Sequence, residues 1–385
     1  MKIENISKEC TGCSMCKSIC PVGAIEMRED QLGFLYPSVD HNKCIKCGLC
    51  EKKCPVINLK QEQNLKKAYY GRALDKELVL NSSSGGIVSV LYEEVLKNDG
   101  VVFGAVFDKN TGEIVYKSSK DADIDELRRS KYVASNPKDS YIEVKKYLDD
   151  GIKVFFCGMP CHIAGLKAYL GKDYENLVTC DFICGGGASP KCFKEHLEHL
   201  SQKYKSKVKK VNFRPKIYGW GVHGIKIEFE NGKQYTNYAF LDSYFRGFVY
   251  EQIIKRYNCY DCKFKSNHVS DIIVADFWGF RQIKDINNDD KGLSLILINS
   301  DKGDILLKHA VENKADIKEI LLDLCEYNFK KIRKNDELLN KRERFIEEYN
   351  RCGFEKAAKR VYMKKCGIFR LKSFAKKLLK YKSRR

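Results

Sequence analysis

Cysteine is the residue whose spacing most constrains the chemistry of this chain. Cys10, Cys13, Cys16 and Cys20 precede Pro21, and Cys44, Cys47, Cys50 and Cys54 precede Pro55, so one CxxCxxCxxxCP pattern occurs twice. Three closely spaced thiolates wrap one cubane, and the fourth cysteine of each run reaches across to the other cluster. The spacing therefore predicts two 4Fe-4S clusters, one held by Cys10, Cys13, Cys16 and Cys54, the second by Cys44, Cys47, Cys50 and Cys20. Structural zinc shares the CxxC step but needs only four ligands and has no use for the third closely spaced cysteine or the terminal CP. Two such clusters make a one-electron wire and cannot by themselves do two-electron chemistry.

The rest of the composition agrees with a redox protein. Eighteen cysteines in 385 residues, behind an N-terminus (MKIENISKEC) without an apolar h-region, point to metal or redox use rather than a secreted disulfide scaffold. No stretch reaches the roughly 18 uninterrupted apolar residues of a membrane span, so a cytoplasmic protein is expected. With 43% hydrophobic and 31% charged residues, the chain can bury two or three cores. The net charge of +19 is uneven: from Lys330 onward 21 Lys or Arg face 6 Asp or Glu, which places +15 of it there.

The elements that must position this chemistry change character along the chain. Residues 1–58 are dense in cysteine and turns, and NLKQEQNLKK (Asn58 to Lys67) reads as a polar linker. Beyond it, strands are predicted at Val101–Asp108, Lys153–Gly158, Leu177–Cys184, Asp271–Trp278 and Leu293–Ser300. Apolar residues at three-to-four spacing predict helices after Gly86, after Cys161, from Ser189 and over Phe240–Tyr257, with Ser189 as cap and Pro190 in the first turn. Asn231 and Gly232 supply a hairpin turn in IKIEFENGKQY. After Lys330 the pattern is helical and basic, with no further strand.

Several blocks between about Lys67 and Phe280 carry a resemblance to the coenzyme F-420 hydrogenase and dehydrogenase beta subunit family. They are SSSGGIVSVL (Ser82–Leu91), RRSKYVAS (Arg128–Ser135), CGMPCHIAGLK (Cys157–Lys167), CDFICGGGASP (Cys180–Pro190), NFRPKIYGW (Asn212–Trp220) and CYDCKFKSNHVSDIIVADFWG (Cys259–Gly279). Met159, His162 and Gly185 stand where that family usually has Thr, Gln and His. The resemblance implies an α/β flavin-binding domain (67–329), set between the α+β ferredoxin-like dicluster domain (1–58) that the cysteine runs predict and the basic helical C-terminal tail (330–385) read from charge and pattern. It implies FAD, with Ser84, Gly85, Gly86 and Ser89 near the diphosphate and Ser130, Lys131 and Tyr132 lining the site; a glycine pair ahead of a helix suits a phosphate. It also implies a third 4Fe-4S cluster on Cys161, Cys184, Cys259 and Cys262, where zinc or plain packing of reduced thiols stands as the alternative. His162 is either a proton donor near the flavin or a structural histidine. Cys157, Cys180, Cys192, Cys325, Cys352 and Cys366 read as buried or bystander thiols.

The expected function is that of an iron-sulfur flavoprotein oxidoreductase. Electrons would run between an external carrier such as ferredoxin, the clusters and FAD, with hydride exchanged with deazaflavin or an organic substrate. Similar chains of this domain order accompany surface-polysaccharide enzymes, which makes a sugar or lipid-linked glycan a candidate substrate. A non-catalytic electron-transfer subunit of a larger complex is the competing reading. No carboxylate pair or Ser/His/Asp set suggests hydrolysis. In the tail, Ile368, Phe369, Leu371, Phe374, Leu378 and Leu379 fall largely on one side of a basic helix, as on a helix lying at an anionic membrane's inner face or packing on the domain. No nucleic-acid module accompanies the charge, and no nucleic-acid partner is expected.

Overall fold

The computed structural model of the protein describes residues 2–59, 64–283, 286, 289–329 and 335–363. The cysteine runs shape the first part. Helices Met15–Ile19 and Leu49–Lys52 begin inside the two runs, and an antiparallel hairpin, β1 (Ile25–Glu29) with β2 (Leu35–Val39), lies between them. Equivalent positions of both runs take left-handed backbone: Gly12 and Ser14 in the first (φ 73 and 60), Lys46 and Gly48 in the second (φ 55 and 73). These turns curl each run around its own pocket. Glycine accepts that conformation freely, whereas Ser14 and Lys46 adopt it at a steric cost.

Residues 67–320 build an eight-stranded sheet from β3 (Lys67–Ala73), β4 (Val101–Phe107), β5 (Ile114–Ser118), β6 (Val154–Cys157), β7 (Leu177–Phe182), β11 (Ile272–Asp276), β12 (Ser294–Ile298) and β13 (Ala315–Ile320), in the order β13-β3-β12-β11-β7-β6-β4-β5. The central β4, β6, β7 and β11 are parallel and the flanking pairs antiparallel. Continuous apolar runs such as SLILI, buried at every position, suit strands covered on both faces. Helices Ile87–Lys97 and Asp301–Val311 cover one face.

The other face carries helices Ser140–Asp149 and Pro160–Leu170, and the cysteine-rich module shares their core. Ile3, Met15, Ile25 and Val56 pack with Tyr141, Ile163 and Leu166. The third part is a three-stranded antiparallel sheet of β8 (Val208–Asn212), β9 (Gly224–Phe229) and β10 (Gln234–Tyr238), with helices Pro190–Tyr204, Ser243–Val249, Asp336–Cys352 and Phe354–Ala358. Its core includes Leu32 and Phe34 from the turn between β1 and β2.

The five strands expected between Val101 and Ser300 are all present, trimmed by one to three residues at one or both ends. Ser189 caps its helix by accepting from the Cys192 N–H at 3.0 Å, with Pro190 in the first turn, and Gly232 turns the β9–β10 hairpin at φ 79. Three expectations are corrected. The helix over Phe240–Tyr257 shortens to Ser243–Val249, because Gln252 takes left-handed backbone (φ 59) and the chain then runs out to deliver Lys255 and Arg256 to the cysteine-rich module. Lys67, expected as the last residue of a polar linker, instead opens β3, which lies inside the sheet between β12 and β13. Residues 336–363, the start of the expected basic tail, bury Phe345, Tyr349, Phe354, Ala357 and Tyr362 in the core around Phe193 and Tyr244. The amphipathic segment 366–385 lies outside the described residues. Among the described residues no helix is long and apolar enough to cross a membrane.

Candidate functional site

The cysteines of the two runs cross over in space. Cys10, Cys13, Cys16 and Cys54 line one pocket, and Cys20, Cys44, Cys47 and Cys50 line another. Burial pushes the Cys13 thiol up to about 12 and Cys16 well above its ordinary value, so these sulphurs carry charge only beside a compensating cation such as iron. Backbone N–H groups point at the sulphurs: Gly12 donates to Cys10 Sγ at 3.4 Å and Ala24 to Cys20 Sγ at 3.2 Å. Among the described residues no three Cys, His, Asp or Glu converge as they would on a single ion. The sulphurs stand instead around pocket walls, as ligands at the corners of a cubane must.

Cys161, Cys184, Cys259 and Cys262 also meet, although the chain separates them widely. Cys161 lies in the first turn of the helix Pro160–Leu170, Cys184 just past β7, Cys259 within the turn Tyr257–Asp261 and Cys262 directly after it. Burial raises the Cys161 thiol well above its ordinary value, and the neighbouring Cys262, Cys184 and Cys259 raise it further, followed by Cys13. Gly186 donates to Cys184 Sγ at 3.3 Å and Gly187 to Cys259 Sγ at 3.4 Å. A Cβ on Gly165, one turn after Cys161, would stand 3.1 Å from Cys13 Sγ, so this helix presses against the first cysteine set.

Two buried cations join these sets. Arg256, 3% exposed, donates from Nε to the Cys10 carbonyl and from Nη2 to the Leu35 carbonyl, both at 2.7 Å, and lies 4.1 Å from the Tyr36 ring. Lys255, equally buried, has its ammonium pulled by burial down to about 8, against the pull of the Cys259 and Cys184 sulphurs. Neither has a carboxylate partner among the described residues. Unpaired buried cations are costly, and thiolate-ligated anionic clusters on Cys10 and Cys259 would compensate them.

A large pocket opens at the C-terminal ends of the parallel strands, where ligands collect in open α/β sheets. It is lined by Cys157 at the end of β6, Phe182 at the end of β7, Cys184–Gly186 beyond it, Asp276 at the end of β11 and the start of helix Ile87–Lys97. Of the residues expected at the flavin, Ser84, Gly86, Ser89, Ser130, Lys131 and Tyr132 all line it. Gly85 does not: its N–H donates to Ser294 Oγ at 2.9 Å, and a Cβ there would lie 2.5 Å from the Gly71 carbonyl oxygen. Gly85 therefore seats the loop on the sheet. Arg129 staples the two predicted loops together, donating to the Asn81 carbonyl at 2.6 Å and side chain at 3.0 Å, while the Ser130 N–H donates to Ser83 Oγ.

Positive charge dominates this pocket's walls. The Lys131 ammonium donates to the Glu126 and Arg128 carbonyls and is pulled by burial down to about 7. Arg214 pairs with Asp276, and the Trp220 indole also donates to Asp276, at 2.7 Å. Trp220 and Trp278 stack at 4.6 Å, and Trp278 forms part of the wall. The motifs NFRPKIYGW and DIIVADFWG contain Arg214, Asp276 and Trp278, yet nothing in either motif by itself says that they meet.

His162 lies elsewhere. It faces a smaller cavity between the cysteine-rich module and the sheet domain, shared with Thr11, Gly12 and Arg256. It is buried against the Tyr116 ring, neither nitrogen has a hydrogen-bond partner among the described residues, and burial depresses it to about 3. It is not a wall of the large pocket. Cys157 does line that pocket and sits in register with the buried Cys180 on the adjacent strand.

Comparison with known proteins matches residues 9–58 to the 4Fe-4S dicluster domain and residues 151–320 to the C terminus of the coenzyme F420 hydrogenase/dehydrogenase beta subunit. No curated protein matches. Among solved structures, a chain of the F420-reducing NiFe hydrogenase complex from Methanosarcina barkeri is 19% identical, with a TM-score of 0.47, over 76% of this chain and 95% of its own. The chain thus carries a 4Fe-4S dicluster domain at residues 9–58 ahead of a region, residues 151–320, that matches the C-terminal domain of the coenzyme F420 hydrogenase/dehydrogenase beta subunit family.

Proposed function

We propose that the protein is an iron-sulfur flavoprotein oxidoreductase. Electrons pass between an external one-electron carrier and the large pocket through three 4Fe-4S clusters, the third on Cys161, Cys184, Cys259 and Cys262. One observation supports this order above the others. Cys184, Gly185 and Gly186 line the large pocket while Cys184 faces Cys161, whose helix presses on Cys13.

FAD, when bound, accepts electrons singly and passes them in pairs as hydride. The pocket's residues suit it. The N-terminus of helix Ile87–Lys97, capped by Gly86, offers free N–H groups to a diphosphate. Arg129 and Lys131 add positive charge, and Tyr132, Phe248 and Trp278 supply apolar walls that exclude water. The family resemblance gives the substrate as deazaflavin or an organic molecule such as a cell-surface glycan precursor, with the basic C-terminal segment holding the protein at an anionic membrane face.

Anaerobic purification followed by iron, sulfide and flavin analysis tests the reading: about twelve irons and one FAD per chain are expected. About eight irons, or zinc in place of the remaining four, would remove the third cluster. Flavin-free protein that still binds its clusters would leave an electron-transfer subunit.

A further inference from the structure

The second cysteine set differs from the other two in its surroundings. Of the twelve predicted ligands, Cys47 alone is exposed. Val22 and Ile45 line the pocket of that set and are themselves exposed, at 40% and 61%. Only one layer of side chains therefore separates this pocket from solvent. The first set is buried beneath the helix Pro160–Leu170.

Cations interleave with these cysteines. Lys43 and Lys46 precede Cys44 and Cys47 directly, and Lys52 ends the helix that carries Cys50; all three are exposed. Lys46 and Lys52 have no carboxylate partner among the described residues. The acids on this stretch are Asp40, which pairs with Lys43 at 3.5 Å, and Glu51. Exposed apolar side chains on the wall of this cluster pocket, with exposed lysines next to its cysteines in the chain, make a surface for brief contact with a negatively charged partner.

We infer that the face formed by Val22, Ile45 and Cys47, with Lys43, Lys46 and Lys52 near its cysteines in the chain, docks an acidic one-electron carrier protein. The inference rests on the proposed relay and adds where the carrier binds and what charge it bears. Electrostatic steering sets the rate of such encounters, which falls as salt screens the charges.

The experiment uses the full-length protein loaded with its clusters and follows their bleaching by stopped flow. One donor is a reduced acidic ferredoxin and the other is reduced methyl viologen, a small cation. With ferredoxin the second-order rate is expected to fall steeply with ionic strength, and Lys43→Glu with Lys46→Glu to lower it by about tenfold or more at low salt. The same variant, with unchanged iron content, is expected to be reduced by viologen at least as fast as the parent. A ferredoxin rate unaffected by salt and by the double substitution overturns the docking face. Failure of viologen to bleach the clusters in the parent protein overturns the relay itself.

Discussion

At the residue scale, the joint between the cysteine-rich module and the rest of the protein depends on single buried groups. Arg256 is a cation held by two carbonyls between Cys10 and Cys259. Arg256→Met keeps much of its length but removes the charge and both hydrogen bonds. A positive charge favours the reduced, more negative state of a nearby cluster, so the substitution is expected to lower cluster midpoint potentials in an EPR-monitored titration. It should also cost about 1–3 kcal/mol of stability through the two carbonyls left without donors. Gly85 is the opposite case, a position where an added atom does the damage. Gly85→Ala drives a Cβ into the Gly71 carbonyl, and a thermal melt is expected to show a loss of about 1–3 kcal/mol, together with weaker flavin retention as the Ser82–Gly86 loop lifts.

At the element scale, the C-terminal helices are pinned by a buried charged group. His196, on helix Pro190–Tyr204, contacts Asp242 Oδ2 at 3.0 Å and Glu355 Oε1 at 2.6 Å. Tyr235 donates to Asp242 and Ser243 to Glu355. Burial alone would lower the histidine, but the two carboxylates outweigh it and hold His196 up at about 10. Because the folded value exceeds the unfolded one, this stabilisation is complete below about pH 6.5 and is lost as pH rises through about 10. Urea melts are therefore expected to show stability falling between pH 7 and 10. His196→Gln should flatten that fall and cost about 3–5 kcal/mol at pH 7, since Asp242 is left buried without its cation. Element identity was largely legible beforehand: Ser189–Pro190 announced a capped helix and Asn231–Gly232 a turn, because both signals act through local backbone chemistry. β3 was not, because KAYYGRA is an ordinary short run whose place inside the sheet depends on partners more than two hundred residues away.

At the scale of the whole molecule, the basic C-terminal region divides in two. Residues 336–363 close the core around Phe193, Phe213 and Tyr244, so truncation before Asn335 removes Phe345, Tyr349, Phe354 and Tyr362 and uncovers the aromatic core they pack against. Each buried aromatic contributes about 1.5–3 kcal/mol, and that truncation is expected to yield aggregated protein on size-exclusion chromatography. Truncation after Met363 should instead elute as folded protein with full iron content. The pattern of charge concealed this division, since Lys and Arg recur on both sides of it while the apolar residues of helix Asp336–Cys352 are few.

The amino-acid sequence by itself determined the two CxxCxxCxxxCP runs and hence the dicluster module, because ligand spacing within one short segment dictates which thiols can share a cubane. Crossing of the fourth cysteines was also readable, since the pattern repeats. The meeting of Cys161, Cys184, Cys259 and Cys262 came from resemblance alone, and no spacing rule yields it. Only the tertiary structure decided that meeting, the burial of Lys255 and Arg256 between cysteine sets, the removal of Gly85 and His162 from the pocket wall, and the exposure of Cys47. Each depends on which strands become neighbours and which faces they cover, and such long-range packing leaves no periodicity in the chain.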